Sequence, residues 1–545
     1  MDYHLDKSLI KINTEINIFN PKNKILSRNF NNTSFSILNY WMEKYCIEYH
    51  QLVFEFNPSK LKVKTIQQNK IKDKPTLDIL LQDLFTNYEN EIDKLNFNSQ
   101  IIAEFKKIFK NKKSNATIVN HISELLNMYG EQIYNSTHRN NIIELSFIEA
   151  LQKLLDNNKN SNNSNNSNNH NTSNNHNTRF KQLIKLVIDQ LVNVNYFMAF
   201  KIQLEMSKGF NFVYTYNDDE LEFTLHSHKE INPNALYWRF LYARMKSVFR
   251  TYVKGTTKDK KGIDNKIKYE IYLSDQLKQL PRKGKIFGPV EINSGSTNFE
   301  TITIWRNEEH FKLILHESVH FYNLDGCLDL DHQNSQINME CHYQIEKDTE
   351  TKLYEAYTES LAVFMNSFAN AYQIYLMETM KSNKKNNINL EWKELNKSDL
   401  EMINQIRHQL WLREKRFFLV QISKIFLHLN PESNNFADFL IAPQKCNQLR
   451  QQFNNRNQLR EKTSTLSYHI LKGANMIFDQ EFLESLQNPL NPHPKSLYKF
   501  YQYITEKTHN NDFINMVNQA IQFMKDKNHY DKNLRMTLYQ TELGI

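Results

Sequence analysis

Glycine and proline are scarce, at 10 and 11 among 545 residues. Few positions can therefore break a helix, and the shortage favours long helices over a succession of tight turns. Cysteine is scarcer still. Cys46, Cys327, Cys341 and Cys446 make no Cys-x-x-Cys pair and no dense framework, which excludes a disulfide-stapled scaffold and fits a reducing compartment. No run approaches the roughly 18 apolar residues of a membrane span. The start, Met1-Asp-Tyr-His-Leu-Asp6, lacks the basic opening and apolar core of a signal peptide. The expectation is a soluble, cytoplasmic chain without a membrane partner.

Also missing is a concentrated field of one sign. The 68 Lys and Arg against 60 Asp and Glu leave +8, spread along the chain. The densest basic run, 254–268, holds two glycines and no aromatic residue, so it reads as an exposed loop. Nucleic acid is therefore not an expected partner.

What the chain does have is Asn, Lys and Ile in excess, and helical periodicity. Residues 1–75 give no clear period apart from a helix around Ser36–Tyr49. From 76 to 155 the spacing of Leu77, Leu80, Leu81, Leu84 and Tyr88, then of Ile118, Ile122, Leu125 and Tyr129, predicts helices. Residues 156–178 are almost all Asn, Ser, His and Thr, with nothing apolar to bury, and are expected to be a disordered insertion. After an apolar helix at 180–206, two alternating runs at 210–216 and 221–225 flank a polar turn, the signature of a hairpin. A helix at 233–252 and strands at 267–273 and 301–305 follow. The last strand runs straight into a helix, and its edge is a candidate for holding an extended peptide. Beyond 343 the periodic segments are 351–375, 399–429, 459–478, 496–505 and 513–525. The expected organisation is a mostly helical N-terminal region (1–155), the insertion (156–178), a region with a small sheet (179–380) and a helical C-terminal region (381–545). The class is mostly α with a small β layer.

The strongest chemical signal is Leu313-Ile-Leu-His316-Glu317-Ser-Val-His320-Phe-Tyr322. On a helix His316 and His320, four apart, share a face and can direct two imidazole nitrogens at one ion. Glu317 adjoins them, placed to take a proton from a water there. The flanking positions carry no charge, as suits a buried helix. This is the His-Glu-x-x-His zinc arrangement.

A catalytic zinc takes three protein ligands, so a third must come from elsewhere. The metzincin pattern is excluded, because Asn323 and Gly326 stand where it needs Gly and His. The helix Leu353–Met365 is apolar almost all round, yet carries Glu355 and Glu359 four apart. Two carboxylates on a buried helix require partners. One Glu would bind zinc while the other accepts a ligand histidine's ring N–H. Failing both, Asp325, Asp329 and His332 in the loop after His320 are the next candidates.

His316-Glu317-x-x-His320 followed by Glu355-Ala-Tyr-Thr-Glu359 resembles the gluzincins, the thermolysin-like zinc metallopeptidases, over roughly residues 290–370. The resemblance implies a zincin-like core within the helical body, Zn²⁺ as cofactor and a peptide or protein substrate. It makes Glu317 the general base and Glu355 the third ligand, with Glu359 behind it. The family usually has Asp at that last position, and Glu359-Ser-Leu-Ala resembles the Glu-Gly-x-Ala ligand motif of other gluzincins, which would make Glu359 the ligand. It further implies a downstream His or Tyr that stabilises the oxyanion, for which Tyr468 and His469 are candidates. The alternative is a catalytically silent zincin scaffold with an interaction or structural role, which an intact Glu317 disfavours. The Asn-rich tract and overall bias resemble proteins of large DNA viruses or their amoebal hosts.

Overall fold

A computed structural model describes residues 34–65, 210–254, 266–326, 342–345, 351–385, 392–441, 458–527 and 531–539, with short gaps at 276, 282–286, 298–299, 462, 489–490 and 495–496. All belong to one compact unit. The helical segments expected within 76–155 and 180–206, the Asn-rich tract, Asp329, His332 and most of the basic loop lie outside the described residues.

Those residues are mostly helical with a small mixed sheet. Its strands are β1 (Lys62–Thr65), β2 (Phe212–Asn217), β3 (Leu221–Ser227), β4 (Ile267–Leu273), β5 (Gly295–Thr297) and β6 (Thr301–Ile304), in the spatial order β1-β2-β3-β4-β6-β5. β2 and β3 form the hairpin around Asp218, whose Oδ1 accepts the N–H groups of Glu220 and Leu221. β3, β4 and β6 run parallel, and β5 closes the row antiparallel to β6. Side chains on alternate positions of β3 and β4 (Leu221, Phe223, Leu225; Ile267, Tyr269, Ile271) are buried on one face, as the two-residue repeat requires.

That face is covered by helices α2 (Leu236–Val248) and α3 (His310–Phe321). Trp238 of α2 lies against Tyr214 and Phe223, ring centroids 4.6 and 6.2 Å away. Tyr269 Oη of β4 sits 2.7 Å from Ser318 Oγ of α3, fixing the histidine helix to the sheet. The N-terminal helix α1 (Ser34–Glu55) joins the same body: Tyr45 Oη is 3.2 Å from Ser247 Oγ, and Tyr49 Oη donates to the Phe240 carbonyl. Residues 34–65, expected within a separate helical region, thus supply a helix and an outer strand to the body that holds the site.

At the centre is α4 (Leu353–Lys385). It packs on α3, on α1 through the 2.6 Å contact of Tyr372 with His50, and on α5 (Lys397–Leu429) through Phe364 against Trp411. Partners on several sides are what an all-round apolar helix demands, and each buried Leu or Phe contributes about 1.5–3 kcal/mol. α5 starts at a capping box in which Asn396 and Asp399 exchange side-chain and backbone bonds. A π-helical turn, Leu466–Leu471, leads into α6 (Lys472–Ile477), and α7 (Leu497–Thr508) and α8 (Asn511–Asp526) complete the described helices used below. Among the described residues no helix is long and apolar enough to cross a membrane.

Burial raises the proton affinity of two core carboxyls. Glu461 is pushed up to about 8, only partly opposed by the Leu466 N–H 2.9 Å from its Oε2, and Glu414 is pushed up to about 7. A raised folded-state value means that the stability carried by the neutral carboxyl is complete below about 4.5, its ordinary value, and is lost as pH climbs through about 8. Glu461→Gln, which keeps the shape without the proton, should therefore gain on the wild type as pH rises. The expected result is a melting-temperature difference that moves in the variant's favour from pH 5 to pH 9; a difference independent of pH would refute it.

Candidate metal centre

The site lies where α3 and α4 face each other. His316 and His320 project from one side of α3, and Glu355 meets them from the first turn of α4. His316 Nε2 and His320 Nε2 are 3.1 Å apart, and Glu355 Oε2 is 3.4 Å from the first and 3.1 Å from the second. Four-coordinate zinc with bonds near 2.0–2.1 Å separates its ligand atoms by about 3.3 Å. The three atoms already stand at that spacing, and among the described residues they are the one group of three or more His, Cys, Asp or Glu able to share an ion.

The far nitrogen of each ring faces a second carboxylate. His320 Nδ1 is 2.6 Å from Asp325 Oδ2, and His316 Nδ1 is 2.9 Å from Glu359 Oε2. Asp325 is hydrogen-bonded to His320 Nδ1, and Glu359 faces His316 Nδ1 at ion-pair distance without hydrogen-bond alignment; a proton held at Nδ1 of the neutral ring leaves Nε2 for an ion. With both rings neutral, two lone pairs and a carboxylate oxygen converge in a buried space, where a metal ion, or in its absence a ring proton, meets the Glu355 carboxylate. The donor set, two imidazoles and one carboxylate, suits zinc.

Charges around the site follow from the same contacts. Burial would raise Glu355, but His320 and His316 outweigh it and hold the carboxyl well below its usual range. Burial lowers His316, yet Glu355 and Glu359 win and raise it above an ordinary histidine. Burial raises Glu317, opposed by the two histidines. Its carboxylate lies against β5: a Cβ on Gly295 would stand 2.7 Å from Glu317 Oε1. Tyr468 closes another side, its ring 5.9 Å from that of His316. Burial and the nearby charges of Glu355, Glu317 and Glu359 keep its hydroxyl protonated, and so a donor. No family model, curated protein or solved structure matches this chain. The functional reading therefore rests on these residues alone.

Of the residues singled out from the sequence, His316, His320, Glu355, Glu317 and Tyr468 come together. Glu359 sits behind His316 rather than beside the converging atoms, where Lys312 Nζ donates to both of its oxygens at 2.8 and 2.9 Å. His469 is not brought to the centre: it is buried one residue past Tyr468, and the charges that act on it are Lys472, Lys278, Glu359 and Lys312. The strand entering α3 is not the edge of the sheet either. β6 is paired on both sides, and among the described residues β5 ends the sheet on that side, as β1 does on the other.

Four neighbours escaped the sequence reading in these roles. Asp325, considered only as a possible ligand, instead holds His320. It can do so because the chain reverses directly after α3, with Asn323 at φ 47° and Gly326 at φ 68° and the Leu324 N–H bonded back to Val319. Thr358 Oγ1 donates to Asp325 Oδ2 at 3.1 Å, so one face of α4 supplies Glu355, Thr358 and Glu359 to the centre. Lys312 could have been suspected, lying four residues before His316 on the same face. Gly295 carries no signal that could have marked it.

Proposed function

We propose that the protein is a zinc-dependent peptidase with a zincin-like core made of β4, β6, β5, α3 and α4. The observation that carries this is the convergence of His316 Nε2, His320 Nε2 and Glu355 Oε2 beside the carboxylate of Glu317. His316, His320 and Glu355 would hold the metal, and bound zinc supplies Lewis acidity that polarises a carbonyl and acidifies a water. Glu317, whose proton affinity is raised by burial, takes a proton from the attacking water and delivers it to the departing amine. The Tyr468 hydroxyl is available to donate to oxygen as negative charge develops there. β5, the terminal strand whose face Glu317 packs against at Gly295, is the strand beside which an extended peptide substrate would lie.

Metal analysis joined to a peptide-library digestion tests this reading. The expected result is one zinc per chain and cleavage that a chelator abolishes, zinc restores and Glu317→Gln lacks. Zinc without cleavage of any peptide would favour the silent scaffold, and no zinc at all would overturn the reading.

Gly295 gives a sharper check on the base. A methyl group there would stand 2.7 Å from Glu317 Oε1 and 3.1 Å from its Cδ and Cγ, so the side chain must shift to make room. Misplacing a reacting group by about 1 Å can cost about 100-fold. Gly295→Ala is therefore expected to keep its zinc and melting temperature and to lose about two orders of magnitude in kcat. Unchanged kcat would show that Glu317 needs no such clearance.

A further inference from the structure

Behind His316 lies a second, fully buried cluster of charges that the proposed reaction does not use. Lys278, Lys312, Lys472, Glu309 and Glu359 are all within it, each almost inaccessible to solvent. Lys278 Nζ pairs with Glu309 Oε2 at 2.9 Å, Lys312 with Glu359, and Lys472 Nζ lies 3.7 Å from Glu359 Oε1. Such charges are costly to bury and persist only where every one is met.

Much of what meets them comes from one distant segment, Asp531–Tyr539. It is anchored like a strand beside residues 278–280, with the Leu280 N–H donating to the Lys532 carbonyl at 2.7 Å and the Leu534 N–H to the Lys278 carbonyl at 3.0 Å. Its middle then threads the core. The N–H groups of Met536 and Thr537 both donate to Glu309 Oε1, and the Leu538 N–H donates to Glu414 of α5. Lys472 Nζ donates to the Met536 carbonyl at 2.9 Å, and the Met536 sulfur lies 3.1 Å from Lys278 Nζ and 3.8 Å from Lys312 Nζ.

Both ends of this arrangement touch the metal helix. Glu309 is the residue that opens α3, and it is held at φ 65°, a left-handed conformation that is unfavourable for a non-glycine residue and so needs anchoring. Glu359 stands at the ring of His316. We propose that Lys472 is a positioning residue of the metal centre, tying the strap Asp531–Tyr539 to Glu359, so that the docked strap fixes both the start of α3 and the aim of His316. This rests on the metal reading above.

Cobalt titration followed by visible absorption tests it in the full chain, beside thermal melts. Lys472→Met should weaken cobalt binding about 10–100-fold, the usual loss when a partner behind a ligand histidine is disturbed. Lys472→Arg, which keeps the charge, should recover most of it. The control is Lys415→Met, which breaks a comparably buried pair, Lys415 Nζ to Asp479 Oδ1 at 3.0 Å, that does not reach the centre. It should lower the melting temperature and leave cobalt affinity as in the wild type. Should Lys472→Met not fold, Lys472→Gln, whose amide can still donate to the Met536 carbonyl, is read in its place and is expected to weaken binding likewise. If the Lys472 variant melts lower but binds cobalt as tightly as the wild type, the residue is merely structural and the proposal falls. A wild type that binds no cobalt overturns the metal reading itself and this inference with it.

Discussion

Glu317→Gln should purify with one zinc per chain and no measurable turnover, whereas His316→Ala and His320→Ala should purify without zinc. The amide keeps the size of the glutamate and its place against Gly295, but it cannot accept a proton, and general-base catalysis typically contributes about 10²–10⁴-fold. Each alanine instead removes one of three converging donor atoms and leaves two, too few for a stable zinc site. The two histidine variants should differ in stability. His316→Ala leaves Glu359 with its Lys312 partner, while His320→Ala takes from the fully buried Asp325 the ring that lies 2.6 Å away. The expected order of melting temperature without metal is therefore His316→Ala above His320→Ala. Zinc analysis, a peptide-cleavage assay and calorimetry read all three outcomes; full turnover in Glu317→Gln would remove the base from its assigned role.

How far the sequence leads is decided by how local each signal is. The histidine pair was legible because four-residue spacing on a helix has one geometric meaning. The glutamate helix was legible because an apolar surface on every side leaves charged residues without a surface explanation, and α4 is indeed enclosed by α3, α1 and α5. The alternating runs of β2, β3 and β4 could be read for the same reason. β1 and β5 could not. Lys62–Thr65 is exposed along its whole length, and Gly295–Thr297 is three residues without an apolar side chain. With β5 hidden, the letters leave β6 as a candidate edge as readily as a core strand, and in the fold it is paired on both sides. Long-range charge is the other blind spot. Lys312, Lys472 and the segment around Met536 are separated by up to 224 positions, and no periodicity in a single chain shows that they share one buried cluster. Asp325 was placed among possible ligands because the positive φ of Asn323 and Gly326, which swings it back to His320, is invisible in the letters.

Glu355→Ala and Glu359→Ala should fail in opposite ways. Glu355 contributes one of the three converging atoms, so its alanine variant should lose zinc. Without metal its carboxylate is held well below its usual range by His320 and His316, so it supports the apo fold too, but it is less deeply buried than Glu359 and its removal should cost the apo protein less. Glu359 stands behind His316 and balances Lys312 and Lys472, all three fully buried. Its alanine variant should retain zinc with affinity weakened about 10–100-fold. It should also lose roughly 3–5 kcal/mol of stability, the usual cost of stripping one partner from a buried ion pair. Zinc titration and apo-state denaturation, measured on both variants, thus give a crossed pattern: metal lost with the smaller loss of stability for Glu355, metal kept with the larger loss for Glu359. A pure loss of fold would lower both measurements together in both variants. The reversed pattern, with zinc lost only in Glu359→Ala, would make Glu359 the ligand and require its carboxylate to leave Lys312 and turn past the His316 ring when the metal binds.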